Sequence, residues 1–129
     1  MSGMQVVVVG AAVLRGGRVL ASRRTAPPHL AGLWEFPGGK VEPGEDEPQA
    51  LVRELAEELG CPAVVGRRIG PDLALGATAV LRVWTATITG VPQLRDHDAH
   101  RWLSFDELDD VPWIPADAPV VDALRLLLA

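Results

Sequence analysis

The sequence predicts an α/β (α+β) fold, a mixed β-sheet sandwiched between helices, formed by one domain over residues 1–129. Three observations carry this reading. A length of 129 residues suits one compact domain whose core needs no staples. Segments with strand and helix signals follow one another in an order that suits helices on both faces of a sheet. One of them, 46–60, has complete start and stop signals for a helix.

Residues 5–14 read as a buried strand, because their centre is the β-branched run Val6-Val7-Val8-Val9. Gly16-Gly17 is a turn signal, and 18–22 returns as the second strand of a hairpin. Residues 23–32 hold two prolines and no periodicity, so they read as a loop. A short apolar stretch, 33–36, is ended by Pro37-Gly38-Gly39, and 41–45 is a turn-rich loop. Asp46 is then a good N-cap. Gln49 completes a capping box, Glu47 suits the helix dipole and Pro48 falls in the first turn. Gly60 stops the helix. Residues 63–70 and 78–89 read as strands, the second with Val80, Arg82, Trp84 and Ala86 alternating against Leu81, Val83 and Thr85. A short strand surrounds Trp102-Leu103, and Ser104 with Glu107 caps a helical turn through Leu108. Residues 120–128 form an amphipathic helix entered after Pro119.

Composition narrows the function. The net charge is −5 and the twelve basic residues are scattered, which argues against a nucleic-acid polymer as partner but leaves room for a single nucleotide. Cys61 is the lone cysteine, so no internal disulfide can form and a reducing compartment is expected. Residues 1–14 are apolar but lack the basic start of a signal peptide. No apolar run approaches the ~20 residues that span a bilayer. The expectation is a cytoplasmic protein with no membrane partner; a homodimer is compatible with the sequence.

The informative segment runs from Gly38 to Gly60. On a helical wheel Leu51, Val52, Leu55, Ala56 and Leu59 form an apolar arc expected to face the core. Glu54, Glu57 and Glu58, at i, i+3 and i+4, crowd a neighbouring arc. Like charges so placed repel by a few tenths of a kcal/mol per pair. A hard divalent cation reverses that sign, since clustered carboxylate oxygens are what Mg2+ or Mn2+ binds. A solvated acidic face would explain the helix alone. The preceding Gly38-Gly39 pair, which lets the backbone approach a ligand and leaves carbonyls free, points instead to a metal site, with Glu45 able to reach the same patch.

The spacing is specific: Gly39, five residues, Glu45, seven residues, Arg53-Glu54-Leu55, one residue, Glu57-Glu58, one residue, Gly60, then apolar Cys61. Nine positions across 23 residues match the complete Nudix box. The flank Leu33-Trp34-Glu35-Phe36-Pro37-Gly38-Gly39-Lys40 resembles the MutT-like branch of the Nudix hydrolases, and the resemblance extends loosely over the whole chain. It implies the Nudix fold and an Mg2+-dependent (or Mn2+-dependent) enzyme. Such an enzyme splits a nucleoside triphosphate into monophosphate and pyrophosphate, with water attacking in line at the β-phosphorus.

Carried over to this chain, the resemblance makes Glu54, Glu57, Glu58 and the Gly38 carbonyl metal ligands. Arg53 orients Glu54, and Glu45 supports the cluster from behind. Lys40 lies near the phosphates, and Arg23 or Arg24 contacts phosphate or base. Asp96, six residues before Trp102, takes the place of a more familiar glutamate as metal ligand or water activator; as a shorter side chain it could also be a plain turn residue.

The tail 113–119 resembles the MutT segment that reads the base. Asp117 stands where MutT proper has asparagine. Taken as ionised, it accepts a hydrogen bond from the cytosine amino group, which favours dCTP, CTP or a 5-methyl derivative; 8-oxo-dGTP is the close rival. Phe36 and Trp113 are candidates to pack on the base or to fill core. Other Nudix hydrolases, acting on ADP-ribose or dinucleoside polyphosphates, and a non-catalytic nucleotide-binding Nudix module are the alternatives. His29, His97 and His100 are too scattered to suggest a transition-metal site, Cys61 is expected in the core, and Trp84 and Trp102 in the sheet.

Overall fold

The valine-rich segment forms β1 (Val6–Arg15), the strand on which the others assemble. The computed structural model describes residues 5–129; residues 1–4, at the start of the expected domain, lie outside the described residues. One edge of β1 pairs in parallel with β6 (Ala79–Ile88), from Val6↔Ala79 to Val13↔Ala86. The other edge is shared. β4 (Gly38–Lys40) occupies it antiparallel from Val8 to Gly10, and β2 (Arg18–Arg23) joins only at Leu14 and Arg15. Between those two attachments the sheet splays open. β2 also pairs with β3 (Trp34–Glu35) and β7 (Ala99–Leu103), and β5 (Ala63–Leu75) closes the far edge against β6.

Alternation along β1 places the helices on opposite faces. Val9, Ala11 and Val13 pack with Ala50, Leu51, Leu55 and Leu59 of α1 (Glu47–Leu59). Val8, Ala12 and Leu14 pack in the other cluster, with Val120, Val121 and Leu124 of α2 (Ala118–Leu128). Each buried leucine of α1 contributes roughly 1.5–3 kcal/mol, which outweighs the repulsion among its glutamates. Among the described residues no helix is long and apolar enough to cross a membrane.

Several elements differ from expectation. Val52 and Ala56 are exposed, because α1 meets the sheet along the narrower ridge of 51, 55 and 59, with Ala50 beside it. Gly38 and Gly39 do not end a strand; with Lys40 they are one, held by pairing with β1. β5 runs on past Gly70 through Pro71, with register shifts after Val65 and Ile69 that an edge strand tolerates. β7 begins at Ala99, earlier than the tryptophan suggests. The turn after Ser104 is 3-10, at Phe105–Glu107, and α2 takes Pro119 into its first turn.

Candidate active site

The capping box forms as the sequence requires. Gln49 N donates to Asp46 Oδ1 at 2.8 Å, and Asp46 N donates to Gln49 Oε1 at 2.9 Å. This fixes where α1 starts and therefore which way Glu54, Glu57 and Glu58 point. β4 runs alongside. Ala11 N donates to Pro37 O and Val41 N to Val7 O, so the antiparallel alternation turns the peptide groups of Gly38 away from β1. Its N–H donates instead to Glu58 Oε2 at 3.2 Å.

The two glycines have separate reasons. A Cβ on Gly38 would meet the backbone of β1, with Gly10 Cα at 2.8 Å and the Val9 carbonyl closer still. A Cβ on Gly39 would stand 2.5 Å from Glu54 Oε1 and 2.6 Å from Oε2. The pair brings strand, carboxylate and helix together.

Arg53 is the hub of the acidic patch. Nε and Nη2 grip Glu45 at 2.7 and 2.9 Å, a bidentate pair. Nη1 donates to Glu54 Oε1 at 2.9 Å and to Glu57 Oε2 at 3.3 Å, and Nη2 reaches the Lys40 carbonyl at 3.0 Å. The guanidinium holds the Glu45 carboxyl down at about 2. Glu58 lacks such a partner; burial pushes its carboxyl up to about 7, with Glu54 and Glu35 adding to the rise against His97 and the Gly38 N–H. Among the described residues no three side chains of ligand type are gathered round one point. Glu54 and Glu57 turn to Arg53, and Glu58 turns to Gly38.

Where the sheet splays lies a cleft of about 780 Å3. Gly38, Gly39, Glu58, Phe36, Ile114 and Asp117 line it, with Arg24, Glu35, Arg95, Asp96 and His97 also in the wall. Asp117 is 1% exposed and its Oδ2 has no partner. Burial pushes its carboxyl up to about 8, Glu35 adding to the effect and the Phe36 N–H and Arg24 opposing it. Burial thus favours the neutral acid at this position, where the sequence reading took the side chain as ionised. Phe36 fills core, as one of its two expected roles had it, and also lines the cleft, stacked on Trp113 with ring centroids 4.8 Å apart.

Of the paired arginines, Arg24 lines the cleft, donating to Glu35 Oε1 at 2.6 Å. Arg23 turns out to Asp98 at 2.6 Å and over the Trp34 ring. Lys40 is exposed, and among the described residues neither it nor Arg23 is part of the cleft lining.

Glu35 and His97 line the cleft and were given no role from sequence. His97 Nε2 sits 2.9 Å from Glu35 Oε2, and its buried Nδ1 has no partner. Burial disfavours charge on His97, but the bond to Glu35 and the nearby carboxylates of Glu58 and Asp96 outweigh this and raise its pKa. The available signal was a carboxylate between two aromatic residues on a short strand, which must face away from the core that Trp34 and Phe36 enter. His97 and His100 do approach one another, at 5.8 Å between rings, but His100 is committed to Ser22 and the Gln93 carbonyl. Cys61 is buried as expected, and Trp84 and Trp102 pack beside α1.

A carboxylate helix braced by one arginine against a glycine strand, open to a cleft, defines a class, and the NUDIX domain profile matches residues 4–124. The chain belongs to this family, whose members generally use divalent cations. It is 50% identical over 126 residues to a Mycobacterium tuberculosis protein provisionally named 8-oxo-dGTP diphosphatase 2, covering 94% of this chain and 89% of that one. It is 42% identical to the CTP pyrophosphohydrolase of Escherichia coli, covering 95% and 93%. The solution structure of the E. coli ORF135 protein superposes with a TM-score of 0.82 at 39% identity, over 98% of this chain and 93% of that chain.

Proposed function

We propose that this chain is a nucleoside triphosphate pyrophosphohydrolase of nucleotide-pool sanitising, converting a (d)NTP and water into the (d)NMP and pyrophosphate with Mg2+ (or Mn2+). The observation that carries the reading is that one cleft is lined both by Gly38, Gly39 and Glu58 of the acidic patch and by Phe36 and the buried Asp117. The names of the two relatives support it.

The residues fit a divalent cation. Glu54, Glu57 and Glu58 are hard oxygen donors, and one guanidinium leaves their charge under-compensated, as the unpaired burial of Glu58 attests. These three and the Gly38 carbonyl would hold the ion, which supplies charge neutralisation on the triphosphate and activation of water. Arg53 orients Glu54 and Glu57 and is itself fixed by Glu45. Arg24 meets the phosphates or base. Asp96, whose carboxylate has no hydrogen bond or ion pair among the described residues, orients the attacking water and takes its proton.

Base selection rests on Asp117 as a neutral acid, a donor beside an acceptor. Cytosine offers the complement, N3 as acceptor beside the N4 amino donor, and 8-oxoguanine offers N7–H beside O6. On that same edge ordinary guanine presents two acceptors, N7 and O6, and matches only half. Both dCTP, CTP or 5-methyl-dCTP and 8-oxo-dGTP fit this edge. Pyrophosphate release from dCTP, 5-methyl-dCTP, 8-oxo-dGTP and dGTP, with and without Mg2+, tests the reading. We expect Mg2+-dependent turnover with dGTP at least about tenfold poorer in kcat/KM. Equal turnover of dGTP would defeat the base argument, and no pyrophosphate from any of them would defeat the function.

A further inference from the structure

Loop 91–98 carries Asp96, yet Asp96 is exposed and one methylene shorter than the glutamate expected at that place. Something else must fix where its carboxylate stands. The neighbouring Arg95, also in the cleft wall, reaches the C-terminal end of α1. Its Nη1 donates to the Glu57 carbonyl at 2.8 Å and to the Ala56 carbonyl at 3.2 Å. Its Nη2 and Nε donate to Gln93 Oε1 at 2.9 and 3.3 Å, and Gln93 N donates to the Leu59 carbonyl at 2.8 Å. α1 has no basic residue of its own in its last turn, so the loop supplies the cation that the helix end favours. On the other side of Asp96, its carbonyl accepts from Thr25 Oγ1 at 3.1 Å.

Gly60 gives an independent sign of this docking. Beyond the left-handed φ of 67° that suits glycine, a Cβ there would lie 2.8 Å from Gln93 Cδ and 2.9 Å from Arg95 Nη2. The space over the helix end is already taken by the loop. Asp96 is thereby tied to the same helix that bears Glu54, Glu57 and Glu58.

We infer that Arg95 is a positioning residue: by clamping loop 91–98 onto the end of α1, it sets the Asp96 carboxylate in the cleft at a fixed place relative to the helix glutamates. This rests on the hydrolase reading and on the role given there to Asp96. A bare helix cap would need only a positive charge. A positioning clamp needs the planar fork, because an ammonium cannot serve two carbonyls and Gln93 in one fixed geometry.

The experiment is a double-mutant cycle on R95A, R95K, D96A and R95A/D96A. It reads kcat and KM for pyrophosphate release at saturating Mg2+, melting temperature, and hydrogen exchange of amides 93–98. R95A should lower kcat by about 10- to 100-fold with KM little changed, the scale of an ångström's misplacement. The double variant should fall no further than D96A, and amides 93–98 should exchange faster in R95A. R95K should hold the melting temperature and still lose kcat, and it carries the cycle if R95A does not fold. Losses that multiply in the double variant, unchanged exchange, or full kcat in R95K would overturn the clamp while leaving the hydrolase reading intact. Full kcat in D96A would remove the role of Asp96 and the clamp with it, and a wild-type chain that releases no pyrophosphate would sink the reading beneath both.

Discussion

Gly39→Ala separates assembly of the carboxylate patch from stability of the fold. The added methyl would begin 2.5 Å from Glu54 Oε1, whereas ordinary contact begins at 3.4 Å, so the carboxylate must retreat by about 0.9 Å. Glu54 cannot do so freely, because Arg53 holds its Oε1 at 2.9 Å and is itself locked to Glu45. A shift of this size at a catalytic group costs about 100-fold in rate, or about 2.7 kcal/mol of barrier. The fold has less to lose: the obstructing atoms end a side chain, and overpacking of that kind costs about 1 kcal/mol. Gly38→Ala is the contrast. There the obstacle is the β1 backbone, which can give way only by parting from β4, and a loss of about 3 kcal/mol or more is expected. The assay is pyrophosphate release at saturating nucleotide and Mg2+, beside thermal melting. A G39A protein with kcat within about threefold of wild type would refute the reasoning, because the contact would then constrain nothing.

Two further outcomes follow from the same geometry. Glu57 is 60% exposed, so Glu57→Gln should melt like wild type and still lose at least about 100-fold in kcat; near-normal turnover would remove it from the ligand set. Asp117 titrates from 3.8 unfolded to about 8 folded, so between those values the unfolded chain carries its charge and the folded one does not. Its contribution to stability therefore declines as pH rises from about 4 to about 8 and is level above. Asp117→Asn should abolish that slope, gaining on wild type across the window in melting temperature; parallel curves would show that the buried acid is not neutral.

Local features of the fold were legible in the sequence, and distant pairings were not. The capping box at Asp46 and the stop at Gly60 are short-range hydrogen-bond rules, and both stand as read. The strand at Gly38–Lys40 had no local signal, since two glycines have low strand propensity; pairing with β1 imposes it. Within the site, the orienting of Glu54 by Arg53 and the support from Glu45 were implied by the resemblance to the Nudix box. Glu35 with His97 spans 62 residues and exists only because β2 brings β3 and β7 together. The charge state of Asp117 depends on burial by the whole cleft wall, which no tail motif encodes.

The sheet separates two cores, and the cleft draws on both. α1, with its glutamates, is seated on the cluster of Leu51, Leu55 and Leu59, whereas Phe36 and Trp113 belong with α2 to the cluster on the opposite face. Under the proposed function, substitutions beneath α2 would reshape the Phe36 wall of the cleft without displacing the helix that bears Glu54, Glu57 and Glu58.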